Sequence, residues 1–150
     1  MNEFSAVNNK TNTQSTTVPM WCLTGGTTRR LAIFEMMFGS DATPDDQVAK
    51  YQLMRTSARG TQSTTITPNP LNPATPAAVA TFDTAWSVDP TITASSQQWQ
   101  QAVNQRVSYR WLAGPDGEYI IPATAGAGLA LIAAVVTTAF NAVFSTHWRE

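Results

Sequence analysis

Charge is scarce in this chain. Asp, Glu, Lys and Arg make up 13% of its 150 residues, about half the share of an ordinary soluble domain. Nine basic and ten acidic side chains leave a net charge of -1. Without a basic field there is little to hold a phosphate backbone, so direct nucleic-acid binding is not expected. A single cysteine, Cys22, excludes an internal disulfide and a multi-cysteine zinc site. A single histidine, His147, removes most metal-ligand and acid–base constellations. No GxSxG, Walker A or GxGxxG motif occurs, and the carboxylates Asp45, Asp46, Asp116 and Glu118 lie in turn-like surroundings. These shortages argue against an enzyme, and no catalytic residue, cofactor or metal site is expected. The longest compact apolar run, Gly128–Val136 (GLALIAAVV), is about half of what a spanning helix needs. It reads as buried core, with no membrane contact. Met1–Thr17 is polar and lacks the apolar stretch of a signal peptide.

Thr, Ala, Ser, Asn and Gln take the place of charge, and a surface so composed has little electrostatic repulsion to keep copies apart. Residues 1–20 read as a flexible arm, because the first eighteen are rich in Asn, Thr and Ser and hold only Phe4 and Val7 as isolated apolar groups. Residues 21–150 read as the folded domain. Thr24-Gly25-Gly26-Thr27 marks a turn. The next segment, Arg29–Phe38, admits a helix, but the glycines on either side frame a strand-sized element; read as a strand, it puts Leu31, Ile33, Glu35 and Met37 on one face. Ala32, Phe34, Met36 and Phe38 fall on the other, more continuously apolar face. Val48–Thr56 alternates as a half-buried strand with Ala49, Tyr51 and Leu53 inward. Thr61–Thr67 suits a sheet edge, and Pro68–Pro76, with its four prolines, is an extended connection. Arg106–Leu112 alternates. Gly114-Pro115-Asp116-Gly117 then predicts a hairpin that returns through Tyr119–Ile121.

Residues 128–144 fit either period. The glycines before them and the β-branched run Val135–Thr138 favour two strands with a turn between. The total is seven or eight strands with regularly spaced turns, an all-β sandwich or jelly roll. The five Trp residues are read as core or intersubunit filling.

Two segments carry a family likeness. Residues 30–73 run RLAIFEMMFGSDATPDDQVAKYQLMRTSARGTQSTTITPNPLNP, and residues 117–150 end in His147-Trp148-Arg149-Glu150. Together they resemble small structural proteins of tailed bacteriophages. The resemblance implies a jelly-roll-like β-sandwich on the virion surface. It implies a capsid decoration (cement) protein, a homotrimer that bridges neighbouring subunits of the major capsid protein. The alternative within the same resemblance is a tail or fibre-associated protein with a face for a receptor or carbohydrate. In the decoration reading residues 1–20 clasp a neighbour, with Phe4, Val7 and Met20 as apolar anchors. Trp21, Arg29 and Arg30 follow as contact residues, since Trp and Arg dominate interface energetics. A small hydrolase would instead need a pocket with converging acid–base groups, for which the sequence offers almost nothing.

Overall fold

The computed structural model describes residues 1–12, 18–136 and 138–150. Within them the chain forms thirteen strands and no helix, in two antiparallel sheets that pack face to face. Sheet A has the order β10-β3-β13-β1-β6, with β11 also on β3. Its strands are β1 (Glu3–Asn12), β3 (Leu31–Ala42), β6 (Asn69–Pro70), β10 (Tyr109–Leu112), β11 (Tyr119–Ile121) and β13 (Phe140–Arg149). Sheet B has the order β5-β7-β2-β12-β4-β8, with β9 also on β4. It holds β2 (Pro19–Thr24), β4 (Val48–Ala58), β5 (Thr61–Ile66), β7 (Thr81–Val88), β8 (Thr91–Ile92), β9 (Trp99–Asn104) and β12 (Gly128–Val136). The all-β expectation and the two-sheet packing hold, with more strands than the seven or eight expected. Residues 128–144 do hold two strands, but β12 lies in sheet B and β13 in sheet A, so the chain changes sheets between them.

The expectation of a flexible arm over residues 1–20 is corrected for the described part. Residues 3–12 form β1, paired with β13 without a break from Glu3↔Arg149 to Asn12↔Phe140. Phe4 and Ala6 are fully buried. The sandwich therefore starts at Glu3 rather than at residue 21, and residues 13–17 lie outside the described residues. Composition judges a segment alone. Here the backbone partners and the apolar cover come from the far end of the chain, out of reach of any local reading. The first and last residues also bond reciprocally, Asn2 N to Glu150 O at 3.0 Å and Glu150 N to Asn2 O at 2.9 Å.

The core lies between the sheets. Phe4 stacks on Trp148 (6.1 Å), Trp148 on Phe82 (6.2 Å) and Phe82 on Trp21 (5.4 Å), a row of rings that runs from one sheet to the other. A second cluster joins Phe38, Tyr51 and Phe144, with Trp99 and Tyr109 closing one side. In β4 the inward set is Ala49, Tyr51 and Leu53, as the alternation predicts. Gly128 enters β12 between β2 and β4, where a Cβ would stand 2.6 Å from the Leu23 carbonyl oxygen. Only hydrogen fits there.

The predicted hairpin at residues 114–117 is corrected too. The tight turn is present, with Gly117 N bonded to Gly114 O at 3.0 Å and Asp116 at φ 56°. Yet β10 and β11 do not pair with each other. Both pair with β3, through Tyr109↔Phe38 to Leu112↔Glu35 and Tyr119↔Ile33 to Ile121↔Leu31. The turn is an excursion along one edge, and the Ala113 N bond to Phe34 O (2.9 Å) keeps the chain on the same side of β3.

Candidate functional site

The outer face of sheet A carries the clearest cluster of reactive side chains. Along β13 the inward residues are Phe140, Ala142, Phe144, Thr146 and Trp148, so Val143, Ser145, His147 and Arg149 face outward. Across the ladder His147 stands opposite Glu35 and Ser145 opposite Met37. On the other flank Ser145 stands opposite Val7.

Glu35 reaches this face through a β-bulge. The register moves from His147↔Glu35 to Trp148↔Ile33, leaving Phe34 as an extra residue in β3. Ile33 therefore points inward against Trp148, while Phe34 and Glu35 both point outward. The inward set becomes Leu31 and Ile33 before the bulge and Met36 and Phe38 after it, which overturns strict alternation across Arg29–Phe38.

Three side chains line up on this face. His147 Nδ1 lies 2.7 Å from Glu35 Oε2, and His147 Nε2 lies 3.3 Å from Ser145 Oγ. A carboxylate only accepts hydrogen bonds, so Nδ1 carries the proton and donates it. In the neutral imidazole, Nε2 then presents its lone pair to Ser145 Oγ, whose hydroxyl donates. The second oxygen of Glu35 accepts from Arg110 Nε on β10. Burial pushes the Glu35 carboxyl up, but the hydrogen bonds and charges of His147 and Arg110 outweigh it and hold the group below the usual carboxylate range. Phe34 and Arg149 complete the wall, with the Arg149 guanidinium 4.6 Å above the Phe34 ring. Beside Ser145 opens a groove of about 460 Å³, lined by Met37, Ser40, Ser108, Tyr109, Arg110 and Val143 among others.

The six sequence-predicted contact residues are not brought together. Phe4, Met20 and Trp21 are buried in the core at 0%, 3% and 1% exposure. As folded they have no surface to offer a partner, so their assignment as contacts is corrected. Their size and apolarity serve packing, which sequence reasoning did not separate from an interface role. Val7 is exposed and borders Ser145. Arg29 and Arg30 are exposed in the β2–β3 connection and line a separate shallow hollow with Glu118 and Arg149.

In the sequence His147 stands out only as the single histidine, and neither of its two partners is marked there. Ser145 was within reach of a reading, because residues two apart share a strand face. Glu35 was not, since it lies 112 positions away. Cys22 is fully buried and hydrogen-bonded to Thr24 and Thr56, and burial pushes its thiol up to about 11, a structural thiol rather than a nucleophile. Asp83 is fully buried and receives Arg59 at 2.6 and 2.8 Å and Thr65 Oγ1 at 2.6 Å, a lock between β5, β7 and the turn after β4. Among the described residues no group of three or more His, Cys, Asp or Glu is placed to hold a metal ion, and no helix is long and apolar enough to cross a membrane. Comparison with protein families, with curated proteins and with solved structures finds no match for this chain.

Proposed function

We propose that this chain is a structural protein of the phage virion, a capsid decoration protein that bridges neighbouring major capsid subunits and works as a homotrimer. The observation that carries the reading is the edge of sheet B at β9. Natural sheets guard their edges with charge, proline or bulges, because open backbone groups recruit another strand. The opposite edge, β5, is guarded by three register shifts against β7. In contrast, β9 runs in unbroken register on β4, from Val48↔Asn104 to Leu53↔Trp99. It contains neither charge nor proline, and among the described residues no strand covers its other side. Val48 and Val107, 49% and 53% exposed, stand at one end of it. An edge of this kind suits a chain whose working state is covered by a neighbour. The scarcity of charge and the resemblance of residues 30–73 and 117–150 support the same reading. The jelly-roll-like wrapping is proposed with it, supported by the way early and late strands interleave, β2 beside β12 and β1 beside β13.

The test is light scattering on the purified chain, with co-sedimentation on emptied heads of the phage that carries its gene. The Gln105 N bond to Gln47 O sets the ladder phase, so the backbone N–H of Ala102 points away from β4. Ala102→Pro therefore removes an edge donor while sparing the β4 pairing. Three times the 16.2 kDa chain mass, with head binding that Ala102→Pro weakens, is the expected result. A monomer that ignores the heads would refute the decoration role and favour a tail or fibre component.

A further inference from the structure

We infer that Ser145, His147 and Glu35 form a nucleophile–base–carboxylate relay with esterase activity toward small activated esters at the outer face of sheet A. The inference stands apart from the virion reading and shares no residue with the β9 edge.

The relay satisfies the geometric order that nucleophilic acyl transfer requires: a hydroxyl within reach of a base, and the base oriented by a third group. Ser145 Oγ sits 3.3 Å from His147 Nε2, and Glu35 fixes the imidazole from the other side at 2.7 Å. The three groups are held by the register of adjacent strands, not by loops. Arg110 anchors the second carboxylate oxygen and so fixes Glu35 in turn. Ser145 also lines the groove, whose walls at Met37, Tyr109 and Val143 suit an apolar acyl or aryl group.

The electron count closes. Ser145 Oγ attacks the ester carbonyl carbon as its proton passes to His147 Nε2. The carbon–oxygen bond to the leaving alcohol breaks, His147 returns the proton to that oxygen, and an acyl-serine remains. Water, deprotonated by His147, attacks the acyl carbon. The carboxylic acid leaves and Ser145 recovers its proton.

The same structure limits the substrate. At Ser145, β13 is paired on both sides, with β1 and with β3, so its backbone donors are engaged in the ladders. The developing oxyanion has the guanidinium of Arg110, which lines the groove and is 62% exposed in its side chain, rather than a preformed pair of backbone N–H groups. Such a site favours esters with a good leaving group, typified by aryl esters, over amides.

The experiment uses the whole chain with p-nitrophenyl butyrate and, separately, a fluorophosphonate whose adduct is located by peptide mass spectrometry. The expected result is hydrolysis above the buffer rate and an adduct on Ser145. Both are lost in Ser145→Ala and reduced about a hundredfold or more in His147→Gln. Ser145 and His147 face outward, and near-ultraviolet circular dichroism of the buried Trp residues checks that each variant is folded. Hydrolysis that survives Ser145→Ala would mean that His147 acts alone on an activated ester, and would overturn the relay. Absence of an adduct on Ser145 in the folded wild type would overturn it as well.

Discussion

Truncating Phe4 separates a built-in first strand from a loose arm more directly than any other change. Phe4 is 0% exposed and its ring stacks on Trp148 at 6.1 Å, in the row that continues through Phe82 to Trp21. Phe4→Ala therefore opens a cavity whose walls are large rings paired across two sheets and poorly able to collapse. A buried Phe→Ala replacement costs about 3–5 kcal/mol. For a domain of this size each kcal/mol lowers the midpoint by about 2–4 °C, so the variant melts about 6–20 °C below the wild type. Val7 on the same strand is 55% exposed, and Val7→Ala should stay within about 0.5 kcal/mol. Urea unfolding followed by Trp fluorescence measures both, with Trp148 reporting on the Phe4 contact itself. A Phe4→Ala loss below about 1 kcal/mol at unchanged urea dependence would refute the reasoning. It would mean that β1 is dispensable to the fold and would restore the arm expected over residues 1–20.

Two further outcomes follow from the charged groups. Asp83→Ala leaves the Arg59 guanidinium without its partner beside a buried cavity; because Arg59 is itself 27% exposed, the loss belongs at the low end for a broken buried pair, about 3 kcal/mol by the same urea titration. Glu35 has a folded-state pKa below its unfolded value, so its ionised form adds stability above the unfolded carboxylate pKa of about 4.3, and that contribution is lost as pH falls through the lower folded value. The stability gap between wild type and Glu35→Gln, measured from pH 7 down to pH 3, should thus persist down to about pH 4.3 and close below it; a gap that widens below about pH 4 would contradict the ion-paired geometry.

Much of the fold was legible because sandwich strands write their periodicity locally. Ala49, Tyr51 and Leu53 could be assigned to the core from alternation alone, and the proline cluster at residues 68–76 correctly marked a connection with only the two-residue β6 inside it. The failures share one cause, the distance between partners. Nothing in residues 3–12 reveals that residues 140–149 will pair with them. The turn at residues 114–117 was visible, but turn chemistry does not specify which strand the flanking residues join. Here β3 took both β10 and β11, since it offers one long edge where a hairpin would need two. The site was less legible than the fold. Its histidine was noticed and its serine lay two residues away, while the carboxylate that orients them arrives from a strand more than a hundred positions earlier.

The bulge in β3 links the core to the outer face. Without it, strict alternation would keep Glu35 on the side of Leu31 and Ile33, which is the buried side. A carboxylate among Trp148, Phe4 and their neighbours would face a desolvation cost that no ion pair there offsets. One extra residue, Phe34, resolves the conflict. It lets Leu31 and Ile33 pack inward below the bulge and Met36 and Phe38 above it, and it turns Glu35 outward opposite His147. The opposite flank of β3 is interrupted at the same level, where Ala113 bonds to Phe34 O and the chain leaves on its excursion between Leu112 and Tyr119. A local irregularity accepted on both sides of one strand is what a constrained position produces, because a bulge weakens a ladder wherever it serves nothing. The core alone would be satisfied by an apolar residue in place of Glu35 and an unbroken strand. What the bulge adds is a carboxylate held at hydrogen-bond distance from the single histidine of the chain.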